Sequence, residues 1–179
     1  MWFDLKKNRT KQTRILSPVI FIMAVVVFDQ WTKLLAGSFL TKGVEVTFFS
    51  NFFKFTLVQN YGGFLGIIAN LPESWRFFLL TVCVSMLLII CLGYLLWSDK
   101  TTPHYDLPLA LVIGGGIGNL VDRLLHNGGV TDFLSIGVGS FRTGIFNLAD
   151  VSILIGSFIL GYTFFSSPPI NDQPPVTEP

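Results

Sequence analysis

No charged residue occurs between Arg76 and Asp99, and Trp75 and Trp97 stand 22 positions apart near the ends of that stretch. At a rise of ~1.5 Å per residue the two indoles lie about 33 Å apart on a helix, which matches one bilayer crossing. Tryptophan at both ends of an apolar run is the aromatic-belt pattern. Inside hydrocarbon every backbone polar group needs an internal partner, so such a segment is a helix, and open sheet edges are kept at or above the membrane surface. Composition points the same way. The 179 residues are 51% hydrophobic and 13% charged, with 18 phenylalanines, where soluble domains carry about 25% charged residues. Mean hydropathy is +0.62.

The expected fold is a mainly α, polytopic membrane protein. Four transmembrane helices, about 16–36, 74–97, 108–125 and 146–165, carry a small β-rich extracytoplasmic subdomain that rests on the membrane surface. Residues 16–166 form one membrane domain, 1–15 a basic cytoplasmic segment and 167–179 a disordered cytoplasmic tail, SPPINDQPPVTEP being Pro-rich without a basic residue. Lys6, Lys7, Arg9, Lys11 and Arg14 precede the first apolar run and place the N-terminus in the cytoplasm. That run contains Asp29 and Lys33 and is followed by no A-x-A-like site, so it reads as a retained helix and not as a cleaved leader. Four crossings return the C-terminus to the cytoplasm.

Residues 40–60 change period. Val44, Val46 and Phe48 alternate with Glu45 and Thr47, and Phe53, Phe55 and Leu57 alternate with Lys54 and Thr56. Period-2 alternation around Ser50-Asn51 predicts two short strands and a turn. Gly62-Gly63 allows an irregular turn, and Pro72 suits an early position of the next helix. Residues 126–145 form an outer loop with an extended segment near 130–142. Gly114 and Gly118 are a small-xxx-small pair for close helix packing. The glycine run is not a nucleotide loop, because no strand precedes it and no Gly-Lys-Ser/Thr follows. Cys83 and Cys91 match no metal or redox spacing. The net charge of +1 gives no support to nucleic-acid binding.

This topology brings Asp29 and Lys33, Asn60, Asn119, Asp122 and Arg123, Asp132, and Asn147 and Asp150 to one level, the outer membrane surface. Asp29 and Lys33 lie four apart, acid first, on one helix face. A charge at bilayer depth costs roughly 2.5–3.5 kcal/mol, so these residues pair or face protein. They form either a structural ion pair or an orienting element of a site. No Ser/His or Cys/His pair is available. His104 falls in the cytoplasmic loop 98–107, and His126 is a lone histidine in a Gly-containing loop, a thin basis for a metal. Two carboxylates with separated pKa values can share a proton and activate water for peptide hydrolysis. Three candidates, Asp122, Asp132 and Asp150, remain equivalent on this reading. A proton-coupled membrane transporter using intramembrane carboxylates is the alternative, although its polar groups should run through the bilayer depth. No internal repeat supports it.

Five ordered motifs carry a resemblance. They are Asp29-Gln-Trp-Thr-Lys33, Asn60-Tyr-Gly62, Gly115-Gly-Ile-Gly118-Asn119-Leu-Val-Asp122-Arg123, Val130-Thr-Asp132-Phe133 and Phe146-Asn147-Leu-Ala149-Asp150. Together they resemble the lipoprotein signal peptidases (signal peptidase II), integral-membrane aspartic proteases of bacteria. The resemblance implies that Asp132 and Asp150 are the catalytic pair and that Asp122 is supporting. It implies that Asn60, Gly62, Asn119, Arg123 and Asn147 line the site, supported by Asp29, Lys33 and Ala149. It further implies an endopeptidase that cuts prolipoproteins just before a diacylglyceryl-modified cysteine, without metal or organic cofactor. The implied setting is a monomer among the lipids of the bacterial inner membrane, with its active site at the extracytoplasmic surface.

Overall fold

The computed structural model describes residues 11–63, 66–98 and 103–166. The element order is α1 (Lys11–Phe39), β1 (Val46–Phe48), β2 (Phe53–Asn60), α2 (Glu73–Trp97), α3 (Pro103–Leu125), β3 (Val130–Val138), β4 (Phe141–Arg142) and α4 (Leu148–Ser166). The four helices are long and apolar enough to cross a membrane. The mainly α fold with a small antiparallel sheet is the one expected.

Helix boundaries depart from the expected ones in informative places. α1 starts at Lys11, not 16, and keeps Pro18, fully buried, inside it. α3 starts at Pro103, five residues before 108, so His104 and Asp106 are helical and not in a loop. Pro103 pre-sets φ for a first turn, and Asp106 complements the positive helix start. Asp106 is buried, 2% exposed, a polar burial at the end of the bundle away from the sheet that the sequence reading did not foresee. α2 is continuous but winds as a π-helix over Phe78–Cys83, with Thr81 the buried residue of that segment. The proposed disordered tail 167–179, the start of the basic N-terminal segment and the loop carrying Lys100 lie outside the described residues.

α3 is the central helix. It packs most extensively on α4, then on α1 and α2. Its glycines explain how. A Cβ on Gly114 would stand 2.8 Å from Val25 of α1, one on Gly115 2.5 Å from the Ala149 carbonyl oxygen of α4, and one on Gly116 2.6 Å from Leu88 of α2. Three successive small residues thus face three neighbours, and backbone approach of this kind drives packing where lipid supplies no hydrophobic force. Ile113, Ala110, Ile22 and Leu95 form the buried apolar cluster away from the sheet. The remaining apolar surface faces outward, as at Leu34 (72% exposed) and Phe158 (74%), the surface a bilayer covers.

The sheet has the order β1-β2-β3-β4, antiparallel throughout, and caps the bundle end where α1 and α3 finish and α2 and α4 begin. β2 pairs with β3 so that Val58 opposes Asp132 and Asn60 opposes Val130, after an irregularity between Phe55 and Val58. Asn60 is therefore the diagonal neighbour of Asp132, on the same face. A bulge of this kind re-aims the strand that follows it.

Candidate functional site

The N-terminus of α4 is the anchor of the polar cluster. Asn147 precedes the helix as its cap. Its Oδ1 accepts the Asp150 N–H (3.0 Å), while Asp150 Oδ2 accepts the Asn147 N–H (3.2 Å). This is a capping box with aspartate at the third position. The next orphan donor, Ala149 N–H, goes to Asp29 Oδ1 on α1 (2.9 Å). The positive end of a helix favours both carboxylates. Ala149 itself is 0% exposed and fits against Gly115 because neither residue has bulk.

Asp29 is also paired with Lys33 (2.8 Å), and Lys33 Nζ reaches Asp122 Oδ2 (3.4 Å) and the Asn119 amide oxygen (3.1 Å). All three ionic groups are at most 5% exposed. Both readings offered for the Asp29–Lys33 pair apply to this geometry: it is an ion pair, and it touches the cluster. Gln30 completes the set. Its amide donates to Asp122 Oδ1 (2.9 Å), Asp29 Oδ2 (3.2 Å) and the Gly118 carbonyl (3.1 Å). Sequence reasoning passed over Gln30, although an amide beside an acid within an apolar run was a signal that could have found it. Asp122 Oδ2 accepts the Thr131 N–H (2.7 Å), which ties β3 to the end of α3 immediately before Asp132.

Asp132 and Asp150 each sit between asparagines. Asn60 Nδ2 donates to Asp132 Oδ2 (2.8 Å) and Asn147 Nδ2 to Asp132 Oδ1 (2.6 Å). Asn119 Nδ2 donates to Asp150 Oδ1 (2.8 Å), and Asn147 Nδ2 also reaches Asn119 Oδ1 (3.1 Å). Asn60 is held in turn by its Oδ1, which accepts the Gly62 N–H (2.9 Å). A Cβ on Gly62 would fall 2.8 Å from that of Ala69, so the turn closes only around glycine. Arg123 donates weakly to the Asn119 carbonyl (3.4 Å) and lies within electrostatic reach of Asp150, Asp132 and Asp122. Asp122 faces Lys33, Gln30 and β3, whereas Asp132 and Asp150 line a cavity of about 710 Å³. The fold thus separates three acids that were equivalent by residue type. Among the described residues, no three His, Cys, Asp or Glu side chains gather as a metal would require.

Burial pushes the Asp132 carboxyl up to about 6, with the nearby Asp150 charge adding to it. The hydrogen bonds from Asn60 and Asn147 and the Lys33 charge oppose the shift. Besides the two acids, Asn60, Asn119, Arg123, Arg142, Thr143 and Ser157 form the polar part of the cavity wall, and Leu80, Val84, Val151, Ile153 and Leu154 belong to the apolar part. Arg142, another residue missed from sequence, ties the β1–β2 turn to β3 by donating to the carbonyls of Asn51 (2.6 Å), Phe52 (3.2 Å) and Ser135 (3.3 Å).

Fold and site define a polytopic membrane protein with a buried, amide-supported carboxylate cluster opening on a largely apolar cavity at one end of its helices. The signal peptidase (SPase) II family model matches residues 21–166. The lipoprotein signal peptidase of Borrelia hermsii is 36% identical over 152 residues, covering 81% of this chain and 87% of its own. That of Caldanaerobacter subterraneus subsp. tengcongensis is 38% identical over 144 residues, covering 80% and 92%. A bacterial membrane enzyme structure obtained by the in meso method at 1.9 Å superposes with a TM-score of 0.73 at 24% identity, over 85% of this chain and 94% of that one. This chain belongs to the signal peptidase II family. It is a peptidase, a hydrolase, of the bacterial membrane, as the five motifs led one to expect.

Proposed function

We propose that the chain removes signal peptides from diacylglyceryl-modified prolipoproteins, cutting just before the lipidated cysteine, with Asp132 and Asp150 as the catalytic pair. Membership of the signal peptidase II family supports prolipoprotein signal peptides as the substrate class. The observation that carries the aspartate pair is its placement: both carboxylates line one cavity whose surface is otherwise mostly apolar. A diacylglyceryl group in that cavity holds the neighbouring peptide bond at the level of the carboxylates, so that acyl-chain binding energy orients the reacting centre.

Below about pH 6 Asp132 of the free enzyme holds a proton. In the proposed step, ionised Asp150 takes a proton from water as the hydroxyl oxygen bonds to the scissile carbonyl carbon. Neutral Asp132 donates its proton to the carbonyl oxygen. Collapse of the tetrahedral gem-diol breaks the C–N bond: the proton on Asp150 passes to the leaving amine, and Asp132 takes back a hydroxyl proton as the carbonyl re-forms. The signal peptide departs as a carboxylic acid and the lipoprotein as an N-terminal cysteine amine. Asn60, Asn119 and Asn147 fix the carboxylates, Arg123 supplies a positive field beside them, and Asp29, Lys33 and Asp122 hold the scaffold. In this reading the enzyme acts as a monomer among membrane lipids, its termini cytoplasmic and its site extracytoplasmic.

The test is cleavage of a lipidated prolipoprotein peptide by purified protein. Asp132→Asn and Asp150→Asn are expected to abolish it with helix content unchanged, and a chelator is expected to leave it intact. Full activity in either variant sinks the aspartate-pair reading.

A further inference from the structure

A second cavity, of about 910 Å³, lies at the same end of the bundle. It shares one side chain with the wall of the Asp132–Asp150 cavity: Arg123. The chemistry on the two sides of Arg123 differs. Away from the aspartates the wall carries the polar side chains of Tyr61, Glu73, Ser74, Arg76, Thr81 and Asn127 beside the apolar Phe77 and Leu124. Thr81 is 6% exposed, and its Oγ1 has no hydrogen-bond partner among the described residues; the same holds for Arg123 Nε. Buried polar atoms are nearly always paired, and both belong to residues of this wall. Thr81 is presented there by the π-helical turn of α2, a distortion frequent at functional sites.

A chain cleaved at the aspartates extends from them in two directions. One part is the apolar signal peptide, which shares the apolar surroundings of the first cavity with the diacylglyceryl group. The other part, beyond the cysteine, needs polar surroundings that satisfy an extended backbone. Taking the aspartate-pair reading as its basis, we propose that the second cavity is the subsite for the first residues after the cleaved bond. Thr81 Oγ1 and Arg123 Nε meet the peptide backbone. Glu73, Arg76 and Arg123 sum to one positive charge (−1 + 1 + 1), which favours an acidic side chain in that part of the substrate.

The experiment compares three lipidated peptides with a common signal sequence. One ends in the modified cysteine amide, and two continue for a few residues that are either acidic or basic. Wild-type enzyme is expected to prefer the acidic extension in kcat/KM. Arg76→Glu is expected to invert the ratio of the two extended substrates by about tenfold relative to wild type, the scale of a reversed, partly exposed charge contact. Glu73→Lys is expected to widen the ratio in the opposite sense. Failure to cut any of the three removes the peptidase reading and this subsite with it; cutting only the extended peptides supports the subsite. Cleavage of all three with the same acidic-to-basic ratio in wild type, Arg76→Glu and Glu73→Lys overturns the subsite alone and leaves the cavity to lipid.

Discussion

Asn147 Nδ2 stands 2.6 Å from Asp132 Oδ1 while the same residue caps the helix that carries Asp150. One amide therefore sets the position of both acids. Asn147→Ala removes a helix cap, worth about 1 kcal/mol, and leaves Asp132 with Asn60 as its remaining amide donor. Loss of activity is expected to exceed the loss of stability. A fall in kcat of about a hundredfold with a modest drop in the thermal midpoint in detergent is the predicted outcome; an equal fractional loss in both would make Asn147 merely structural.

Asp132 provides the pH dependence. Its carboxyl, raised to about 6 by burial, keeps a proton in the folded protein that the unfolded chain releases near 3.8. Its stabilising contribution is full below about pH 4 and is lost as pH rises through about 6. With neutral Asp132 as the acid, kcat/KM of the free enzyme is expected to fall above about pH 6. Asn60→Ala removes a hydrogen bond that favours the ionised form, so this limb should move to higher pH. A limb that stays in place or moves down contradicts the assignment.

Lys33 neutralises two buried acids, Asp29 and Asp122. Lys33→Met leaves both without their cation and is expected to cost about 3–5 kcal/mol. Asp29→Asn in the same chain should restore part of that loss, because one of the stranded charges is then gone. Thermal unfolding of the single and double variants measures the coupling, and strict additivity would refute the shared network.

Gly115 has no room for a methyl group: its Cβ would lie 2.5 Å from the Ala149 carbonyl oxygen. Gly115→Ala should push α4 from α3 at the level of the site and abolish peptidase activity with helix content retained. Gly161→Ala, where a Cβ meets nothing within 4 Å, is the control expected to remain active. Comparable activity of the two variants would show that the α3–α4 approach does not position the site.

Much of the fold is legible in the residues themselves. The uncharged run behind Arg76 with its flanking tryptophans demands a membrane helix, and the alternation of apolar and polar residues through 44–48 and 53–57 marks the strands found at Val46–Phe48 and Phe53–Asn60. The ends of α3 were less legible: Asp106 is a polar residue that a sequence pattern places in a loop, yet tertiary burial holds it in the helix. Only motif resemblance distinguished Asp122 from Asp132 and Asp150 in the sequence. The structure separates them because α3 directs Asp122 toward Lys33 and the Thr131 N–H, while β3 and α4 present Asp132 and Asp150 to a cavity. The contacts of Gln30 and Arg142 belong to the same class. Residue type and spacing along one element determine what that element can bury, but which partner lies opposite depends on elements brought together from distant parts of the chain.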